Sequence, residues 1–167
     1  MIFVTVGTHE QPFNRLIEYI DNLKRDDIIT EEVVMQTGFS TYEPIYCKWK
    51  KLFPYKEMIQ NVAEARIVIT HGGPASFIMP LQNGNIPIVV PRQHQFNEHV
   101  NDHQVEFAEA VAKRMGTIIP IMDIVWLQDA ILNYEQIVSS MPSGMNSNNM
   151  EFNQRLEQIV ESISSKD

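Results

Sequence analysis

The feature that most constrains this fold is an alternation: short β-rich runs, each followed by apolar residues at helical spacing. Ile2 to Val6 is largely apolar and ends at Gly7, the pattern of a buried parallel strand. Phe13, Leu16, Ile17, Ile20 and Leu23 then recur at helical spacing, with Pro12 at a tolerated first-turn position. Residues 33–36 predict a second strand, closed by Gly38, while 45–53 reads equally as strand or irregular chain. Met58, Ile59, Val62 and Ala65 mark a helix, and 67–70 a strand running into His71. The spacing next predicts a helix from Pro74 to about Asn83, a strand over 86–90 and a long helix from about Asn97 to Lys113. A short strand over 117–121 follows, then a helix capped by Asp123 and running to about Asn133. Strict alternation of this kind implies an α/β domain, a Rossmann-like open parallel sheet with right-handed crossovers.

The 167 residues suit one domain over 1–138. The stretch SSMPSGMNSNNM, 139–150, reads as a polar linker. Beyond it Phe152, Leu156, Ile159, Val160 and Ile163 form the stripe of an amphipathic C-terminal helix over 151–167, which either packs on its own domain or docks a partner. The net charge of -8 argues against a nucleic-acid partner, since phosphate-backbone binding needs clustered Lys and Arg. The one basic cluster, Lys48-Trp49-Lys50-Lys51, is short and fits a solvated surface. A single cysteine, Cys47, excludes an internal disulfide and suits a reducing cytosol. The N-terminus has no basic leader and the apolar runs are strand-sized, so a cytoplasmic chain is expected, with any membrane attachment made through a partner.

In open parallel sheets ligands bind beyond the C-terminal strand ends. Gly7-Thr8, Gln36-Thr37-Gly38, His71-Gly72-Gly73 and Pro91-Arg92 all fall there. Gly72-Gly73 permit a tight turn, and Pro74 opens a helix whose free N–H groups and dipole favour an anion, with the Ser76 hydroxyl in the first turn. A diphosphate is the natural guest. Gly7-Thr8 makes a second such turn, with His9 as a candidate general base and Glu10 beside it. Arg92 is expected at the cleft rim, ready for forked pairing with phosphate or for a surface salt bridge.

Four of the five histidines lie between Val68 and Gln104. His99 and His103 would share one helical face, but the residues between them are Val100, Asn101 and Asp102, without the carboxylate base of a His-Glu-x-x-His motif. No metal site is expected. A helix offering Glu98, Asn101, His103 and Gln104 suits a polyhydroxylated ligand better, because each hydroxyl both donates and accepts.

Together FVTVGTHEQPF, MQTGFSTYEP, ITHGGPASF, PIVVPR and EHVNDHQVEF resemble bacterial polysaccharide-biosynthesis glycosyltransferase subunits of the PssE and EpsF type. These are similar to the C-terminal, donor-binding half of MurG-like GT-B glycosyltransferases. The resemblance runs over residues 1 to 135 and implies a single GT-B half-domain that binds a UDP-sugar. It further implies a membrane-associated partner subunit and a lipid-linked pyrophosphoryl-saccharide acceptor. It places Gly7 and Thr8 near the diphosphate, His71, Gly72, Gly73 and Ser76 below the nucleotide, and Pro54-Tyr55-Lys56 by the uracil. Asn101, Asp102, His103 and Gln104 would address the donor sugar and phosphates. One departure stands out: Met79 occupies the position of the glutamate that holds the ribose hydroxyls in related enzymes, with Glu98 or Glu106 as substitutes. The implied reaction is an inverting displacement without a bound metal or cofactor, in which helix N-termini and Arg92 take up the charge of the leaving UDP. A non-catalytic nucleotide-sugar-binding or regulatory module and a histidine-metal hydrolase are the competing readings.

Overall fold

The computed structural model describes residues 1–141 and the helical residues Gln154, Gln158, Glu161 and Ser162. Six strands form one parallel sheet: β1 (Ile2–Thr5), β2 (Val33–Gln36), β3 (Lys48–Lys50), β4 (Ile67–Thr70), β5 (Ile88–Val89) and β6 (Ile119–Pro120). Their order is β3-β2-β1-β4-β5-β6, so the chain winds outward first on one side of β1 and then on the other. β1 and β4 are therefore neighbours in register, with Thr5 opposite Thr70, although many residues separate them in sequence. The point where the winding reverses leaves a crevice at their C-terminal ends.

Helices cover both faces. α1 (Asn14–Arg25), α5 (Leu127–Leu132) and α6 (Tyr134–Ser140) pack Leu16, Ile20, Leu127 and Ile131 against Ile2, Val4, Ile67 and Ile69. On the other face α2 (Tyr55–Glu64) sets Val62 against Phe3 and Val68. α3 (Pro74–Gln82) and α4 (His103–Met115) cover Val89 with Phe77, Phe107 and Val111, and the rings of Phe77 and Phe107 stack at 5.3 Å. Buried on both faces, β1 and β4 carry unbroken apolar runs, which is why they are plain in the sequence. Lys48-Trp49-Lys50 forms the edge strand β3, its lysines exposed as a solvated surface requires.

Two elements depart from expectation. The helix predicted from about Asn97 begins only at His103. Asn97 is left-handed, with φ 54°, and the carboxylate of Asp102 accepts the His94 N–H at 2.9 Å. Asn101 Oδ1 likewise accepts the His103 N–H at 3.1 Å, so these side chains fold 97–102 into a compact loop. His99 and His103 consequently do not share a helical face. At the other end, Ser139 and Ser140 complete α6 instead of opening a linker. The rest of the 139–150 stretch beyond Met141, and the apolar stripe of the C-terminal helix, lie outside the described residues.

No helix among the described residues is long and apolar enough to cross a membrane.

Candidate functional site

A cleft of about 450 Å³ opens at the β1–β4 crevice. Its mouth is formed by the turn after β1 (Gly7, Thr8, His9) and the turn after β4 (His71, Gly73), with Ser76 at the start of α3. Its floor is apolar: Met58 and Val62 from α2, Val68 from β4, Met79 and Pro80 from α3.

The two turns interlock through one ring. Gly7 has φ +73°, and a Cβ there would lie 2.4 Å from His71 Nε2. A Cβ at Gly73 would lie 2.4 Å from His71 Cε1. Glycine at both positions makes room for the imidazole that spans the crevice. Gly72 meets the same demand from behind, where its Cβ would strike Gln104 Cβ at 2.7 Å.

Hydrogen bonds show which polar groups the fold itself consumes. Gln104 Oε1 accepts the N–H groups of Gly72 at 3.0 Å and Arg92 at 3.1 Å, clamping the turns after β4 and β5 onto α4. The Gly73 N–H donates to His71 Nδ1 at 3.1 Å. Gly7 N–H donates to Thr5 Oγ1, which also accepts from Gln36 Nε2. The Ser76 hydroxyl turns back to donate to the Gly73 carbonyl at 2.5 Å, with the His71 carbonyl at 3.1 Å. Gly7, Gly72 and Gly73 thus spend their N–H groups internally. The amides of Thr8 and Ala75 make no hydrogen bond among the described residues, and they, with the N-terminus of α3, are what the turns offer to an anion.

Arg92 is also corrected. It is fully buried instead of standing at the rim. Its Nη1 donates to the Gln11 and Glu98 carbonyls at 2.7 and 3.1 Å, and its Nη2 to the Val6 carbonyl at 2.8 Å. Burial lowers its pKa to about 10, with Glu98 opposing, so it stays a cation at neutral pH. The reason is convergence: three backbone carbonyls from two loops meet at one point, and a guanidinium satisfies them all. Glu98 is likewise buried, paired with Arg15 at 2.7 Å and accepting the Gln93 N–H, so it is not open to a ribose.

His71 is desolvated and sits near Arg92, which together push its pKa down to about 4. It is neutral under ordinary conditions. His9 lines the cleft, and its ring meets that of His99 at a centroid distance of 4.6 Å.

Of the residues singled out in the sequence, the cleft gathers Gly7, Thr8, His9, His71, Gly73, Ser76 and Gln104, with Gly72 directly behind. It does not gather Tyr55, which is 74% exposed at the start of α2, nor Asn101 and His103 at the start of α4. Sequence reasoning missed the apolar floor: Met58 and Val62 sit on the helical stripe of α2, which reads as ordinary core. It also missed Asp21, fully buried in α1, whose carboxylate gathers the Tyr42 hydroxyl and the N–H groups of Ile45, Tyr46 and Cys47. Among the described residues no group of three or more His, Cys, Asp or Glu is placed to hold a metal ion.

The strand order and the crevice at β1–β4 define an α/β domain of the kind that forms one half of a GT-B glycosyltransferase. Residues 1–161 match the glycosyltransferase family 28 C-terminal domain, and the chain belongs to that family. Among solved structures it resembles the glycotransferase of kitacinnamycin, with TM-score 0.60 and 19% identity over 98% of this chain and 39% of that one. It also matches the glycosyltransferase SnogD from Streptomyces nogalater, with TM-score 0.49 and 16% identity over 97% of this chain and 44% of that one. The chain thus spans less than half the length of either enzyme. No curated protein sequence matches it.

Proposed function

We propose that this chain is the donor-binding unit of an inverting glycosyltransferase, holding a UDP-sugar while a membrane-associated subunit presents a lipid-linked pyrophosphoryl-saccharide in exopolysaccharide or capsule synthesis. The observation that carries the reading is the switch-point cleft of a family 28 domain, where His71 spans the turns after β1 and β4 above the N-terminus of α3. The diphosphate lies across those turns, with the Thr8 and Ala75 amides and the α3 dipole facing it, and the nucleoside rests on the apolar floor. As the sugar–phosphate bond breaks, charge grows on the leaving UDP, and preorganised donors at that point lower the barrier. The acceptor hydroxyl attacks the anomeric carbon from the opposite side, with the proton taken by a base on the acceptor-binding subunit. The sequence motifs that resemble those of two-component polysaccharide enzymes support the partner.

Calorimetric titration of UDP and a panel of UDP-sugars, with chelator present, tests the reading. Binding to the chain that is lost in Gly7→Ala is expected. Failure to bind any of them, alone or with an acceptor-binding subunit, would overturn it.

A further inference from the structure

Two imidazoles that line the cleft, His9 and His71, and a third that touches His9, His99, share one arrangement: the backbone N–H two residues on donates to Nδ1. Gln11 donates to His9 at 3.1 Å, Gly73 to His71 at 3.1 Å and Asn101 to His99 at 3.4 Å; at His71 the Gln104 Oε1 also stands 3.4 Å from the same Nδ1, so the tautomer follows from this contact at His9 and His99 only. A ring nitrogen that accepts carries no hydrogen, so the one proton of a neutral imidazole must sit on Nε2. Charging the ring would put a second proton on Nδ1 and break the turn.

His9 and His99 bring this arrangement together from two different loops. His9 follows β1 and His99 precedes α4, yet their rings touch at 4.6 Å with planes tilted by 47°. Both residues are half-buried, and Asn101 approaches the His99 ring with its side chain as well as its N–H. The tie between the loops is the buried Arg92, whose Nη1 reaches the Gln11 carbonyl on one and the Glu98 carbonyl on the other. Arg92 and His103 weigh on the His99 ring along with His9, while an Asn101 side-chain hydrogen bond opposes them; among the nearby carboxylates Glu98 is engaged by Arg15, Asp102 accepts the His94 N–H, and Glu10 is exposed beside His9. A positive ring here would face like charge. Burial first, and His9 second, hold His99 below the usual histidine range.

We infer that His9 and His99 form a neutral two-donor site for an oxyanion of the ligand, each ring offering Nε2–H, and that His9 is thereby held in the form that cannot take a proton at Nε2. The identity of the anion, a nucleoside diphosphate, rests on the donor-site reading above; the tautomers do not. Neutral donors suit such a site, because they bind a phosphate oxygen without first gaining a proton and strengthen as its charge grows. His9 becomes a ligand-binding residue and not the general base, and His99 enters the site as its companion.

Histidine ¹⁵N spectra of the full chain near neutral pH test the assignment, with His9→Gln and His99→Gln identifying the signals. Protonated Nε2 and bare Nδ1 are expected on both rings. Adding UDP or inorganic pyrophosphate should shift both Nε2 signals, with no proton uptake when binding heats are compared between buffers of different ionisation enthalpy. Glutamine keeps a donor near the Nε2 position, so His9→Gln should stay within about twofold of the parent affinity, while His9→Phe falls about fivefold, the value of one neutral hydrogen bond. A bare Nε2 on His9, proton uptake on binding, or full affinity in His9→Phe would each overturn the inference. UDP binding that leaves both rings unmoved would sink the pair and spare the donor-site reading. Failure of both UDP and pyrophosphate to bind would sink the two together.

Discussion

The two walls of the cleft look alike in sequence and differ in what they do with their polar atoms. The β1–β4 wall ends in glycine turns around His71 and keeps the Thr8 and Ala75 amides free of partners among the described residues. The β5–α4 wall carries Arg92, Glu98, Asn101 and Gln104, each a plausible ligand contact by residue type, and consumes nearly all of them within the protein. Side chains that reach a ligand in such a fold must first be left over after the backbone at the strand ends is satisfied. On the reading proposed above, the first wall together with His99 is the binding surface, and the rest of the second wall is the clamp that shapes it.

The sharpest way to break this comparison is Gly7→Ala. A Cβ there meets the His71 ring at 2.4 Å with the backbone at φ +73°, so strain of about 1–3 kcal/mol is added and the imidazole is displaced. UDP affinity should fall more than tenfold; unchanged affinity would show that the β1–β4 wall is not the binding surface.

Arg92→Met tests the other wall. It leaves the Val6, Gln11 and Glu98 carbonyls without their donor, and stability should drop by about 3 kcal/mol or more by urea unfolding. A loss of UDP binding with the unfolding midpoint unchanged would restore Arg92 as a phosphate ligand. Gln104→Ala, which strands the Gly72 and Arg92 amides, should cost about 2 kcal/mol, with UDP binding weakened through the loosened turn.

A pH dependence is also expected. The folded-state pKa of His71 is lowered from 6.5 to about 4, so between those values the unfolded chain binds more protons. Stability should therefore rise with pH across that window and fall as pH drops through it. Urea midpoints measured against pH should lose this slope in His71→Gln.

How legible the molecule is follows from how local each determinant is. β1 and β4 are readable because burial on both faces demands unbroken apolar runs, and the His71-Gly72-Gly73-Pro74 turn because glycine and proline punctuate it. The start of α4 is not readable, since the sequence shows Asn97, Asn101 and Asp102 but not which backbone N–H each will take. Arg92 misleads for a non-local reason: its partners at Val6 and Gln11 lie at the far end of the chain. Nothing in the sequence singles out Asp21, yet it is fully buried and anchors the loop before β3. Burial raises its pKa, but its hydrogen-bond donors outweigh that and leave it below the ordinary carboxylate value. The cleft's apolar floor escapes because a core stripe and a pocket wall have the same helical period.

The central claim is that the ligand sits on the β1–β4 wall. Amide chemical-shift mapping during a UDP titration tests it most directly. The account predicts the largest shifts at Gly7, Thr8, Gly73, Ala75 and Ser76, with little change around the separate cavity of about 310 Å³ formed by Phe39, Trp49 and Leu52. Shifts confined to that second cavity, or centred on α4 with the Gly7 and Ala75 amides unmoved, would contradict it.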